Sequence, residues 1–516
     1  MSQRRYGAMV AYANILLKNL ISFMYIPILL KFVGGNQYGL YQMTSSAVGM
    51  LSLLSLGMSA SYVRFFWQAK RRDGDEGVGR INSAYLSFFL LISVVCLAAG
   101  GVLTNNVEIL FQKNFSESEI ETTKMLMVIL SVNVAVTLLS SVFDSYIIAN
   151  EKYLVEQLRV LFSTLLQPVF SIILLIGGGD IVAVATVQLL VTLIFIFWNM
   201  IYAVSRLKMK FKFTNIRNLV ETGKNILPFS GVILINQIID LVNNNFSTLL
   251  VGNMLGPMSV AVFAIANQLK GLFYQLTFTI SRLYVSKVHQ MISFDATDGD
   301  LTNLMIKIGR IQLYLLVSAF GLFVVLGQSF IEFWAGKDYG EAYWLVVLMM
   351  TSLLVPLSQN IGLEIQKAKN LHRFRIILMC FSTLFNLFAS IIFIKKFGVL
   401  GAGIGFSIST VVVNVVVINI YNHKVVGLDM FKYWRKVSNV ILGPGIAILL
   451  TVGFNCLFGG NSILKVMIDV ILYGTLTLLI HWIFSCDENE RKIITSSLNG
   501  LLNKAILRDK GVENCE

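Results

Sequence analysis

Lys18 and Lys270 lie inside long apolar runs, where an ionisable side chain costs about 2.5–3.5 kcal/mol on insertion scales. Each needs a compensating partner: an acid, an amide, or an anionic ligand for which an ammonium serves as a point charge. Lys18 lies about ten residues into its run, roughly 15 Å along a helix at about 1.5 Å per residue, too deep to snorkel to an interface. Asn19 adjoins it. Asp240 occupies the middle of another apolar run and precedes Asn243, Asn244 and Asn245. Three consecutive amides sweep about 300° of a helix, so at least one of them is expected to face a polar interior. Arg64, Asp144 and Glu364 stand near the ends of further runs. Arg64 reads as an inner-mouth contact or a charge anchor, Asp144 and Glu364 as gate or salt-bridge residues. What these residue types can do is electrostatic: hold an anion, exchange a cation or proton, or gate a path. There is no P-loop, no HExxH and no metal-ligand spacing, so the expectation is no catalytic residue, no metal and no cofactor. Gly401, Gly403 and Gly405 superficially suggest a nucleotide loop, but no strand precedes them, and they read as helix-packing positions.

The elements that must position these residues are membrane-spanning helices. Of 516 residues, 56% are hydrophobic and only 13% charged, with mean hydropathy +0.73, against about 45–50% and about 25% in soluble domains. Net charge is +13. In a soluble protein this would suggest nucleic acid; in a polytopic membrane protein it reads as basic cytoplasmic loops, so no nucleic-acid partner is expected. Cys96, Cys380, Cys456, Cys486 and Cys515 are scattered with no CxxC, which predicts free thiols. Arg4 and Arg5 precede an apolar run of about 25 residues without a cleavage site, which reads as a retained first helix rather than a signal peptide.

A hydrocarbon core about 30 Å thick needs about 20 apolar residues as helix. Fourteen runs qualify: 8–33, 38–63, 83–104, 125–149, 154–176, 180–204, 225–251, 257–281, 306–331, 341–363, 374–396, 398–421, 437–458 and 463–485. Between them stand breakers at 34–36 (GGN), 177–180 (GGGD), 252–257 (GNMLGP) and 397–398 (FG). With an inside N-terminus, inside segments hold 32 of the 41 Lys and Arg, outside segments seven, and two lie within spans. This positive-inside split predicts both termini in the cytoplasm.

FSTLLQPVFSII (162–173) returns as FSTLFNLFASII (381–392), identical at seven of twelve positions at an offset of 219. GGGDIVA (177–183) aligns with KFGVLGA (396–402) at the same offset, and GNQYGLY (35–41) with GPMSVAV (256–262) at 221. The copies fall in spans 5 and 11, which cross in the same direction. The fold class is therefore an all-α polytopic membrane protein with fourteen transmembrane helices: two parallel six-helix repeats plus a C-terminal helix pair. The domains are 1–212, 213–425 and 426–516. At the 221 offset Asp240 corresponds to Asn19, and Asp240 and Lys18 form a candidate charge pair. A cation or proton competing for Asp240 would then release Lys18. Pro168, opposite Leu387 of the second copy, predicts a bend in span 5. Asp469 and His481, in the appended pair, receive no role.

LLKFVGGNQYGLYQ (29–42) resembles the L-G-x-x-x-Y-G-L-Y turn of bacterial polysaccharide flippases. LSLGMSASYVRF (54–65) is similar to their helix 2 ending, KFGVLGAGIGFSIS (396–409) to their helix 11–12 turn, and LEIQKAKNLHRFR (363–375) to their basic loop after helix 10. With the 6+6+2 layout, the chain resembles the O-antigen translocase (Wzx-like) branch of the multidrug/oligosaccharidyl-lipid/polysaccharide exporter superfamily over nearly its whole length. It departs in helix 7, where the family's acidic position is Ser247 and the nearest acid is Asp240. The resemblance implies a flippase moving an undecaprenyl-pyrophosphate-linked oligosaccharide, an O-antigen, capsule or exopolysaccharide repeat unit, from the inner to the outer leaflet of the bacterial cytoplasmic (inner) membrane. It implies alternating access of two lobes, with membrane lipids as surroundings. On that implication Lys18, Asn19, Arg64, Asn244 and Lys270 would line the pyrophosphate and glycan cavity. Asp240, Glu364 and Asp144 would serve ion coupling, by Na⁺ or H⁺, or gating.

A cation-coupled drug antiporter of the same superfamily would share the repeat but usually stops at twelve helices and favours acidic cavities. A major facilitator would carry G-x-x-x-D-[RK] between helices 2 and 3, and RFFWQAKRRDGDEGVGR (64–80) lacks that order. A membrane glycan polymerase would need a sizeable outer loop, and the longest here, 105–124, has no arginine. The expectation is a transporter, not an enzyme.

Overall fold

The computed structural model describes residues 3–55, 57–111, 115–213, 241–457 and 463–486, with isolated positions between 213 and 241 and residue 491. Every regular element among them is helical. This follows from the solvent: hydrocarbon offers no hydrogen-bond partners, so a spanning segment must pair its amides internally. In chain order the helices are α1 (Gln3–Gly49), α2 (Met58–Asn105), α3 (Glu117–Ala149), α4 (Tyr153–Ile176), α5 (Ile181–Ile201), α6 (Ser247–Leu255), α7 (Pro257–Ser293) and α8 (Asp298–Trp334). There follow α9 (Glu341–Ser358), α10 (Asn360–Ala368), α11 (Arg373–Phe397), α12 (Val399–Thr410), α13 (Met430–Val437), α14 (Leu442–Leu457) and α15 (Ile463–Ile480). Among the described residues eleven helical segments are long and apolar enough to cross a membrane. Most of the expected run 225–251 lies outside the described residues.

Three of the four expected breakers separate helices, and the fourth kinks one. α1 changes direction at Gly34, whose φ of 79° suits a residue without a Cβ. Gly178 and Gly179 separate α4 from α5, and Asp180 caps α5 by accepting from the Ala183 amide at 2.9 Å. Gly256 and Gly398 carry positive φ between α6 and α7 and between α11 and α12. The sequence did not announce a second kind of interruption. The run 38–63 is not one helix: α1 ends at Gly49, a 3-10 turn covers Met50–Ser55, and α2 starts after Gly57. α2 then continues past the end of the apolar run and kinks at Gly74, because hydropathy marks where a membrane ends rather than where a helix does. π turns widen the helices at Tyr202–Arg206, Val242–Phe246, Val411–Val417, Asn422–Val426 and His481–Ser485.

The repeated sentence occupies α4 and α11 on matching faces. Ser171 and its counterpart Ser390 are buried, as are Leu175 and Ile394, while Phe162 and Phe381, and Ile173 and Ile392, are exposed. α4 runs through Pro168 without interruption, as α11 runs through Leu387.

The chain packs as two compact units: Met1–Gln268 with Glu332–Leu345 and Ile376–Ser409, and Leu269–Ile331 with Val346–Arg375 and Thr410–Glu516. They cut α7, α8, α9 and α11 part-way along, a partition by packing that differs in kind from partition by repeat at 212 and 425. In the first unit α2 packs on α3, α1 on α4 and α3 on α5, around Tyr62, Phe66, Tyr85, Phe89 and Val142. There the two aligned turns meet: Gly39 lies against the Pro257 carbonyl so closely that a Cβ would overlap it, and a Cβ on Gly35 would come within 2.7 Å of the Tyr339 hydroxyl. Trp334 closes the same unit, its indole N–H donating to the Phe23 carbonyl at 2.9 Å and its ring stacked on Phe23 at 5.0 Å. The second unit surrounds Val288, Ile308, Ile361, Val426 and Tyr433. Amides tie its helices together: Gln359 donates to Asn419 at 2.9 Å, Gln366 to Asn422 at 2.6 Å, and Gln312 to Ser281 at 2.7 Å.

The contact of the two turns is tested by adding side chains. Gly39→Val is expected to lower the thermal stability of the purified protein by about 1–3 kcal/mol through overpacking. Gly101→Ala, at a position with nothing within 4 Å, is expected to leave the melting temperature unchanged.

Candidate functional site

Asp144, on α3, lies within a half-buried ionic cluster of the first unit. The Arg159 guanidinium of α4 donates to Glu156 Oε1 at 2.7 Å and stands 3.7 Å from Asp144 Oδ2. Asn199 of α5 donates its side-chain N–H to Asp144 Oδ1. The three charged side chains are only 12–22% exposed, so they interact in a medium less screening than water. Two carboxylates against one guanidinium leave one negative charge in excess. Sequence reasoning singled out Asp144 but missed Glu156, Arg159 and Asn199. The three-residue step from Glu156 to Arg159 was the available signal.

The second unit holds another group of partly buried charges. Lys270 is half-buried on α7, and Tyr274 follows one turn later, its ring stacked on Phe278 at 6.2 Å. The half-buried Arg375, at the start of α11, interacts electrostatically with Tyr274 and with Glu364. Glu364 on α10 is paired with Lys367 at 2.8 Å. Arg375 read as one of several basic loop residues in the sequence, and only packing separates it from them.

The remaining candidates distribute as follows. Lys18 is exposed on α1, Asn19 beside it is half-buried, and Arg64 is exposed on α2. One helical turn before Lys18, the buried Asn14 donates to Gln157 of α4 at the backbone carbonyl (2.8 Å) and the side chain (3.1 Å). The asparagine triplet coincides with the π turn Val242–Phe246. Asn245 of that turn lies over Gly49, where a Cβ would come within 3.4 Å of its amide nitrogen. α1 ends at that same glycine, so two irregular backbones meet there. Asp240 and the side chain of Asn244 lie outside the described residues, and with them the expected pairing of Asp240 and Lys18. Among the described residues no group of three His, Cys, Asp or Glu is placed to hold a metal ion, and Cys96, Cys380 and Cys486 are free thiols.

The family model described as "Polysaccharide biosynthesis protein" matches residues 6–284, more than half of the chain. The chain belongs to this family. EpsK, a membrane protein of Bacillus subtilis (strain 168), is 24% identical over 356 residues, covering 66% of this chain and 67% of that protein. The fold matches that of a lipid II flippase, MurJ, in an inward closed conformation, with a TM-score of 0.72 at 16% identity, covering 95% of this chain and 99% of that one. It also matches an inward-facing multidrug resistance MATE family transporter of the MOP superfamily, with a TM-score of 0.65 at 15% identity over 81% and 95% of the chains. This polysaccharide biosynthesis family member is thus an all-α, multi-pass membrane protein with the fold of flippases and transporters, not of enzymes.

Removing the guanidinium would strand both carboxylates of the first cluster. Arg159→Ala is expected to lower stability by up to about 3 kcal/mol, measured by thermal unfolding in detergent. Adding Asp144→Asn and Glu156→Gln to that variant is expected to recover most of the loss, because no uncompensated charge then remains.

Proposed function

We propose that this protein is a flippase for a polyprenyl-pyrophosphate-linked oligosaccharide, moving it from the inner to the outer leaflet of the bacterial cytoplasmic membrane by alternating access of two lobes. The observation that carries this reading is the half-buried Lys270, with Tyr274 and Arg375 beyond it, in a family member that has a flippase fold. A diphosphate cannot enter hydrocarbon alone. Cations at intervals can pass it along, each giving an exchangeable contact, while the prenyl tail stays in lipid. Lys18 and Arg64, exposed on α1 and α2, add positive charge for the same head group. Asn19, Asn244 and Asn245 supply donors and acceptors suited to sugar hydroxyls. Without a nucleotide site, energy would come from substrate flux or from an ion gradient. The Asp144 cluster, with its excess negative charge, is the preferred coupling site for Na⁺ or H⁺, ahead of Asp240 and of Glu364, which Lys367 already neutralises. Both termini would face the cytoplasm, as the loop charges require.

A cation-coupled antiporter of small molecules is the second reading. It is favoured by the MATE-type fold match and by that same excess acid.

Deletion of the gene in its own host decides between the two. The flippase reading expects lipid-linked oligosaccharide to accumulate on the inner leaflet with loss of surface glycan, and unchanged lipid-linked intermediates would refute it. The double substitution Lys18→Ala/Lys270→Ala is expected to reduce surface-glycan export about tenfold or more, the effect of losing about 1.4 kcal/mol of head-group interaction. Full export would remove both lysines as head-group contacts.

A further inference from the structure

α13 has the sequence MFKYWRKV and belongs to the second unit. Met430, Tyr433 and Val437 recur at three- and four-residue steps and are buried, so one face of the helix joins the core of that unit. Side chains and backbone fix it there. The Tyr433 hydroxyl donates to the Ser358 carbonyl at 3.0 Å, and the Trp434 indole N–H donates to Asn419 at 2.9 Å. The Arg310 guanidinium of α8 donates to the Lys436 carbonyl at 2.6 Å.

The other face joins an aromatic ring to cations. Phe431 is 78% exposed, and the His423 ring packs edge-on against it with centroids 5.1 Å apart. Arg435 follows Phe431 by one helical turn and is exposed, as is Lys436. Lys432 is half-buried and donates to Asn303 of α8 at 2.9 Å. Positive charge prevails here. Residues 421–441 contain Lys424, Lys432, Arg435 and Lys436 against the single acid Asp429. Asp429 caps α13 by accepting from the Lys432 amide at 2.9 Å, and nearby Asp298 is paired with Lys369 at 2.5 Å.

The chain on either side of α13 turns apolar side chains outward. Val412, Val416 and Ile420 are exposed before it, and Leu442, Ile446 and Leu449 after it. Both stretches belong to segments long and apolar enough to cross a membrane, so α13 stands where a lipid-facing surface gives way to charge. A dissolved anion would suit the cations but would leave Phe431 in water. A phospholipid suits both, because its acyl boundary takes the ring while its phosphate meets the cations. We propose that the outward face of α13 is a docking surface for anionic phospholipid, with Phe431 in the acyl boundary and Lys432, Arg435 and Lys436 at the head-group phosphates. This surface goes beyond the flippase reading and does not depend on it.

The test is native mass spectrometry of the full chain, released from detergent after equilibration with equal amounts of phosphatidylglycerol and phosphatidylcholine. The unmodified protein is expected to retain phosphatidylglycerol preferentially. Lys432→Gln/Arg435→Gln/Lys436→Gln is expected to reduce that preference about fivefold or more, with an unchanged melting temperature. Phe431→Ala is expected to weaken retention of both lipids. Arg206→Gln/Lys208→Gln/Lys210→Gln removes equal charge from the first unit and is expected to keep the preference. Equal effects of the two triple variants would overturn the site, since net charge alone would then set retention. An acidic run at 487–490 lies outside the described residues. If phosphatidylglycerol is preferred only after Asp487→Asn/Glu488→Gln/Glu490→Gln, that run and not lipid occupies α13, and the proposal fails.

Discussion

Hydrocarbon offers no hydrogen bonds, and an unpaired polar group within it costs several kcal/mol, about 2–7 for a neutral group depending on reference state. The architecture follows from that constraint. Backbone amides are satisfied by helices, and interruptions occur where other groups take over. The 3-10 turn Met50–Ser55 sits beside the π turn that holds Asn243, Asn244 and Asn245, with Asn245 over Gly49. Irregular backbone at membrane depth is tolerable only where protein or a polar path surrounds it, and here the two irregular segments lie against each other.

Charged side chains obey the same constraint in three ways. Asp144, Glu156 and Arg159 compensate one another incompletely, two carboxylates against one guanidinium. Lys270 and Arg375 are half-buried cations suited to a mobile anion. Arg310 spends its donors on backbone carbonyls and so fastens α8 to the segments around Lys436 and Ser485. The third pattern makes a fixed joint.

Much of this was legible in the sequence, for local reasons. Gly178, Gly256 and Gly398 mark helix ends, and Gly34 a kink, because their backbone angles exclude most other residues. The repeated segment predicted equivalent helices, and Ser171 with Ser390, or Phe162 with Phe381, do occupy equivalent environments. What stayed hidden depends on packing between distant segments. Asp144 was visible as an acid in an apolar run, but Asn199, 55 residues away, was not visible as its partner. Asp469 and His481 lie at helical spacing in the sequence, yet the packing of His481 on Tyr314 and the bond from Tyr473 to the Ser318 carbonyl appear only in the fold. The break at Met50–Ser55 was masked because every residue in it is apolar or serine.

The central claim is transbilayer movement of a lipid-linked glycan. The direct measurement reconstitutes the purified chain into vesicles carrying lipid-linked oligosaccharide from its own host, then adds a membrane-impermeant glycosidase. Protein-free vesicles protect the inner-leaflet share of the glycan. Flipping predicts that the protected share disappears when the protein is present. An equal protected share with and without the protein, in vesicles shown to be sealed, would contradict it.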